Sequence, residues 1–128
     1  VENIYGWNEE SPALGMTDDA LKEINKIFPL LLDLGHAAVN YEIFLERKLD
    51  GLEIDDLSIK EVHISFLKPG GPPPWDHRGY VGNKVNQGII RKLKETLETR
   101  PRIPVVLEID APYEAITENI KLLRNKLE

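Results

Sequence analysis

Pro29-Leu30-Leu31-Leu32-Asp33-Leu34-Gly35-His36-Ala37-Ala38 decides the fold. Its first half is a continuous apolar run, the pattern of a strand buried on both faces. Its second half delivers an acid, a glycine and a histidine just before a new helical pattern. Parallel α/β proteins place their chemistry where strands end in this way. Asp33 and His36 are therefore the first candidates for a site, and the rest of the chain must supply their partners.

Working outward, the same plan recurs. Upstream, Thr17-Asp18-Asp19 starts a helix whose apolar positions are Ala20, Leu21, Ile24, Ile27 and Phe28, and Pro29 stops it. Residues 1–5 read as the end of a strand, and residues 6–15 as a polar, turn-rich loop with Ser11-Pro12 as a possible helix start. Downstream, a helix over about 38–49 is followed by a strand over 59–66. A Gly/Pro-rich segment then carries Trp75-Asp76-His77-Arg78, and loops of that length inside a domain are usually functional or disordered. Asn86 is expected to cap a helix running to about residue 98, the run 105–109 is another apolar strand, and Pro112 opens the last helix. Strands alternating with amphipathic helices predict an α/β fold of about four parallel (β/α) units in one domain.

Composition narrows the function. The 128 residues bound the chain to one domain, and the absence of cysteine excludes a disulfide framework and a thiolate metal site. No apolar run reaches the length of a membrane span, so no membrane role is expected; the cysteine-free composition suits a cytoplasmic protein. Sixteen basic against 22 acidic residues give a net charge of -6, which argues against a nucleic-acid partner.

Four expected strand ends each bring an acid or an imidazole: Glu2, Asp33 with His36, His63, and Glu108. All C-terminal strand ends of a parallel sheet share one face, so these side chains can converge. Carboxylates with an imidazole and no thiolate suit Mn²⁺, Mg²⁺ or Zn²⁺. Each residue alone has a plainer reading. Asp33 reads equally as a helix cap, and His63 as a hydrogen-bonded core residue. Glu108 is harder to place in that way, because a carboxylate in an apolar strand is costly without a partner. Asp76 and His77 read as further ligands, substrate contacts or solvated loop residues. Arg78 suits a clamp on an anionic or hydroxyl-rich substrate. Trp7 and Trp75 read as pocket walls or as cover for an apolar edge.

The motifs Val1-Glu2-Asn3, Leu32-Asp33-Leu34-Gly35-His36-Ala37, Ile59-Lys60-Glu61-Val62-His63-Ile64-Ser65 and Pro104-Val105-Val106-Leu107-Glu108-Ile109 resemble successive motifs of the xylose isomerase-like superfamily. That group of (β/α)₈ TIM barrels includes sugar isomerases, sugar-phosphate epimerases and abasic-site endonucleases. The resemblance covers nearly the whole chain but only the C-terminal half of a barrel. It implies Glu2, Asp33, His63 and Glu108 as ligands of a divalent metal, with Glu2 and Glu108 also as the catalytic acid–base pair. It implies His36, His77 and Arg78 as substrate-binding residues, and His36, Asp76 and His77 as a possible additional metal site. The implied function is a metal-dependent isomerase or epimerase acting on a sugar or sugar phosphate. The alternatives are a zinc-dependent abasic-site endonuclease-like phosphodiesterase and a non-catalytic assembly fragment.

A complete (β/α)₈ barrel takes about 250 residues. The chain is thus expected to be a piece of a longer protein, the reading also favoured by its start at Val1 rather than Met. A half-barrel would need a second half, from a missing N-terminal portion or from a second copy, to cover its strand edges.

Overall fold

A computed structural model describes residues 1–4 and 17–128. Trp7 and the loop expected over 6–15 lie outside the described residues. The architecture is mixed α/β: a parallel three-stranded sheet in the order β1 (Leu30–Asp33), β2 (Ile59–Ile64), β3 (Val105–Leu107), with helices α1 (Asp18–Asn25), α2 (Leu34–Ala38), α3 (Lys84–Thr99) and α4 (Tyr113–Leu127). The expected four β/α units are not present among the described residues. The strand expected over 1–5 is reduced to one parallel bridge, Glu2 to Leu31, supported by the hydrogen bond from the Leu31 amide to the Val1 carbonyl at 2.9 Å. No helix among the described residues is long and apolar enough to cross a membrane.

Register sets the two faces of the sheet. Asp33 pairs with His63 and His63 with Val106, while Leu32 pairs with Val62 and Val62 with Val105. Side chains alternate along a strand, so the Leu32–Val62 row and the Asp33–His63 row point to opposite sides. The first side is the core: Leu30, Leu32, Val62 and Ile64 are buried with Ala38, Val39, Ile89 and Leu93 from the helical layer. On the second side Glu61, His63 and Val106 keep part of their surface.

Several element boundaries follow hydrogen bonds that periodicity does not show. The first helix stops at Asn25, not Phe28, because the Asn25 amide donates to the Phe28 and Ser58 carbonyls and turns the chain toward Pro29. Ile27 and Phe28 are consequently exposed. The second helix begins at Leu34 rather than near 38, because Asp33 caps it: its Oδ1 accepts from the His36 amide at 2.7 Å. It continues as a π-helical turn, Val39–Phe44, a form concentrated at functional sites. Asn83, not Asn86, caps α3. Asn86 is instead buried and clamps the loop, accepting from the Leu67 amide and donating to the Leu67 and Val81 carbonyls. The strands β2 and β3 end at Ile64 and Leu107, short of residues 66 and 109.

Beyond β2, Phe66 pairs with Arg78 in an antiparallel bridge, and the Lys68 amide donates to the Trp75 carbonyl. The Gly/Pro-rich segment is thereby closed on itself, and Asp76-His77 returns to the end of the sheet. The Asp110 amide then donates to the His77 carbonyl at 2.8 Å, pinning that return to the end of β3.

Candidate metal-ligand cluster

Asp33 is the centre of the cluster. It is wholly buried at the junction of β1 and α2. One carboxylate oxygen caps the helix, and the other, Oδ2, has no hydrogen-bond partner among the described residues. The cap and the ligand readings of Asp33 are thus compatible, each using a different oxygen. Burial pushes its carboxyl above the usual range; the His36 charge and amide pull the other way, and the Glu2 and Glu108 charges add to the rise.

Three overlapping groups of acid and imidazole surround it. Asp33 joins His63 and Glu108, it joins Glu2 and His36, and His36 joins Asp76 and His77; within each group the ligand atoms lie within 4.8 Å of one another. The four residues Glu2, Asp33, His63 and Glu108 therefore do not form one compact set: Glu2 falls with His36 rather than with His63 and Glu108. The closest contacts are His63 Nδ1 to Glu108 Oε1 at 3.0 Å and His36 Nε2 to Asp76 Oδ2 at 3.3 Å. His36 Nδ1 stands 3.5 Å from Glu2 and 3.6 Å from Asp33 Oδ2. His77 Nε2 reaches the same Asp76 oxygen at 3.3 Å, and its ring meets that of His36 edge-on with centroids 5.9 Å apart. To reach it, His77 adopts a left-handed backbone, φ 55°. That conformation is uncommon outside glycine and costs energy at this position.

The His36 ring is raised to about 9, so it is charged at neutral pH. Burial works against that charge, but the Asp76 hydrogen bond, the Asp33 charge, the Asn3 carbonyl and the Asp76 charge together outweigh it.

Other candidates fall outside the cluster. The Arg78 guanidinium turns back to the Pro74 carbonyl at 3.2 Å. Trp75 stacks edge-on against Phe44, with centroids 5.7 Å apart, and donates to the Gly71 carbonyl.

Two participants were not foreseen as site residues. Asn3 is buried and holds the Asp33 backbone from both sides: its Oδ1 accepts from the Asp33 amide at 2.7 Å and its Nδ2 donates to the Asp33 carbonyl at 2.9 Å. Its own carbonyl lies 2.9 Å from His36 Nδ1. Glu61 Oε1 lies 2.7 Å from His63 Nε2. The signal for Glu61 was its spacing, two residues before His63 on the same strand face.

The donor set suits a hard or borderline divalent cation. Ligands at about 2.1 Å from one ion lie roughly 3–4 Å apart, and the His63–Glu108 separation of 3.0 Å fits. The buried, unsatisfied Asp33 Oδ2 and His63 Nδ1 belong to the same group, so a cation there would satisfy both.

Comparison with protein-family models, with curated proteins and with solved structures finds no match to this chain.

Proposed function

We propose that the chain carries a divalent-metal centre for proton transfer on a sugar or sugar phosphate, the chemistry of an isomerase or epimerase. The observation that carries this reading is the group Asp33, His63 and Glu108, in which two buried atoms, Asp33 Oδ2 and His63 Nδ1, make no hydrogen bond among the described residues. A divalent ion held by Asp33, His63 and Glu108 would supply polarisation of a substrate carbonyl. Glu2 and Glu108 would exchange the proton next to that carbonyl. Their side chains keep 38% and 34% of their surface, one in each of the two groups that share Asp33, so both can meet a substrate. His36 and His77 would hold substrate hydroxyls, and Arg78 would reach an anionic end only after leaving Pro74.

The same proposal takes the sheet as consecutive strands of a (β/α)₈ barrel. The parallel order β1-β2-β3 and the core on one side support it, with Glu61, His63 and Val106 as interior residues. Further strands would come from the rest of a longer chain or from a second copy.

A second reading has its own support. The group of Glu2, Asp33 and His36 shares Asp33 with one neighbouring group and His36 with the other, and ligand sharing is how two-metal phosphodiesterases place adjacent ions. An abasic-site nuclease would use that arrangement.

The test uses the full-length protein with Mn²⁺, Mg²⁺ or Zn²⁺, aldose and ketose substrates with their phosphates, and D₂O as solvent. Deuterium at the carbon next to the carbonyl, lost in Glu108→Gln together with at least tenfold in metal affinity, is the expected result. Metal affinity unchanged in Glu108→Gln refutes the centre. Cleavage of abasic DNA without sugar turnover selects the second reading, and neither activity with any metal leaves the chain as a structural domain.

A further inference from the structure

The His63 ring is held from both sides, and its two nitrogens meet different surroundings. Nε2 lies 2.7 Å from Glu61 Oε1 in a hydrogen bond. Nδ1 is buried, makes no hydrogen bond among the described residues and stands 3.0 Å from Glu108 Oε1, within the group of Asp33, His63 and Glu108. Glu61 belongs to none of the ligand groups. Register explains why: Glu61 pairs with Leu31 and His63 with Asp33, so Glu61 lies one side-chain step below the ligands on the same face.

We infer that Glu61 is a positioning residue that accepts the Nε2 proton of His63 and so presents the Nδ1 lone pair to a cation between Asp33 and Glu108. The inference rests on the metal reading above. An imidazole that binds a metal through one nitrogen donates through the other, and a carboxylate acceptor fixes the tautomer, orients the ring and raises its basicity. The placement of Glu61 has a cost that this role explains. A further carboxylate on a face already carrying Asp33 and Glu108 adds like-charge repulsion. The shared proton on one side of the imidazole and a cation on the other offset it. A neutral acceptor would orient the ring equally but would leave it a weaker ligand.

The experiment compares the full-length wild type with Glu61→Ala, Glu61→Gln and, as a neighbour on the same strand, the exposed Lys60→Ala. Zinc affinity is read by competition with a chelating dye, and the nitrogen that binds zinc by imidazole ¹⁵N spectra. Far-UV circular dichroism reports whether each variant is folded. In the wild type, Nδ1 of His63 carries the metal shift and Nε2 stays protonated. Glu61→Ala binds zinc about 10- to 100-fold more weakly. Glu61→Gln keeps a protonated Nε2, because its amide oxygen still accepts, and lies between the two. Lys60→Ala matches the wild type. Zinc bound through Nε2, or a folded Glu61→Ala with wild-type affinity, overturns the inference while leaving the metal centre standing. A wild type that takes up no zinc, manganese or magnesium overturns the metal centre, and the role of Glu61 with it.

Discussion

Gly35→Ala separates helix propensity from the packing of the site. Gly35 is the second residue of α2, and an exposed glycine there would gain roughly 1 kcal/mol on conversion to alanine. The structure forecasts the opposite sign. A Cβ on Gly35 would lie 2.0 Å from Ser65 Oγ, 3.2 Å from Asp33 Oδ1 and 3.3 Å from Ser65 Cβ. Ser65 and Asp33 are both fully buried, so neither can swing into solvent. Overpacking costs about 1–3 kcal/mol, and a contact this short onto two buried side chains falls in the upper part of that range, about 2–3 kcal/mol. Set against the propensity gain, a net loss of about 1–2 kcal/mol is expected. With a urea slope of about 2 kcal/mol/M, the middle of the usual range, that lowers the unfolding midpoint by roughly 0.5–1 M. Ser65→Ala supplies the control. Its hydroxyl has no hydrogen-bond partner among the described residues, so its removal should leave stability unchanged or slightly raised. In the double variant the worst contact is gone, and the two changes should couple favourably by at least about 1 kcal/mol. Gly35→Ala as stable as wild type, or additivity of the two changes, would refute the packing argument.

Three further outcomes are open to measurement. Lys92 is buried, and its ammonium donates to the Asp50 and Leu52 carbonyls at 3.0 and 2.8 Å and to Glu95 at 2.6 Å. Lys92→Met should cost about 3 kcal/mol in urea unfolding, and a loss below about 1 kcal/mol would show that these carbonyls find other donors. Asn3→Ala frees the Asp33 backbone and should cost about 1–3 kcal/mol, with weaker zinc binding. Equal zinc affinity would show that Asp33 holds its place without the amide. The Arg91 guanidinium, hydrogen-bonded to Asp50, holds that carboxyl below its usual 3.8. The pair's contribution is therefore complete above about pH 4 and is lost as the pH falls through the lowered value. Because the pair is exposed, wild type should exceed Asp50→Asn by under about 1 kcal/mol at pH 7 and match it in strong acid; a gap that widens on acidification contradicts the assignment.

What could be read in the sequence was mostly local or periodic. Leu30–Leu32 announced a buried strand because no polar residue interrupts it, and Asp33 stood out because the polarity changes there. His63 and Glu108 were visible for the same reason, each a charged or polar group in an apolar run. Bonds between distant residues were not visible. Asn3, in the strand end expected over 1–5, drew no role of its own, because nothing near it shows that its amide matches the backbone of Asp33 thirty residues later. Glu61 was quoted only as part of the motif around His63, although the face it shares with His63 is the one that carries the site. Asn83 and Asn86 stand three apart, and either spelling suits a cap. Only the loop contacts show that Asn86 is used elsewhere. The end of β2 was overestimated because Phe66 is as apolar as a strand residue, but its partner is Arg78 in the opposite direction.

The cluster must also be distinguished from an ordinary network of buried ion pairs. Such a network would leave no buried polar atom without a hydrogen bond. Part of the cluster behaves so: the charged His36 lies between Asp33 and Asp76, and offsets both. The other part does not. Asp33 Oδ2 and His63 Nδ1 are enclosed and make no hydrogen bond among the described residues; their charged neighbours, His36 Nδ1 at 3.6 Å and Glu108 Oε1 at 3.0 Å, meet them without hydrogen-bond geometry. The carboxylates Glu2, Asp33, Glu61, Asp76 and Glu108 outnumber the imidazoles His36, His63 and His77, so even full protonation of the rings leaves negative charge over. Both deficits fall at the meeting point of Asp33, His63 and Glu108, and one cation there removes both.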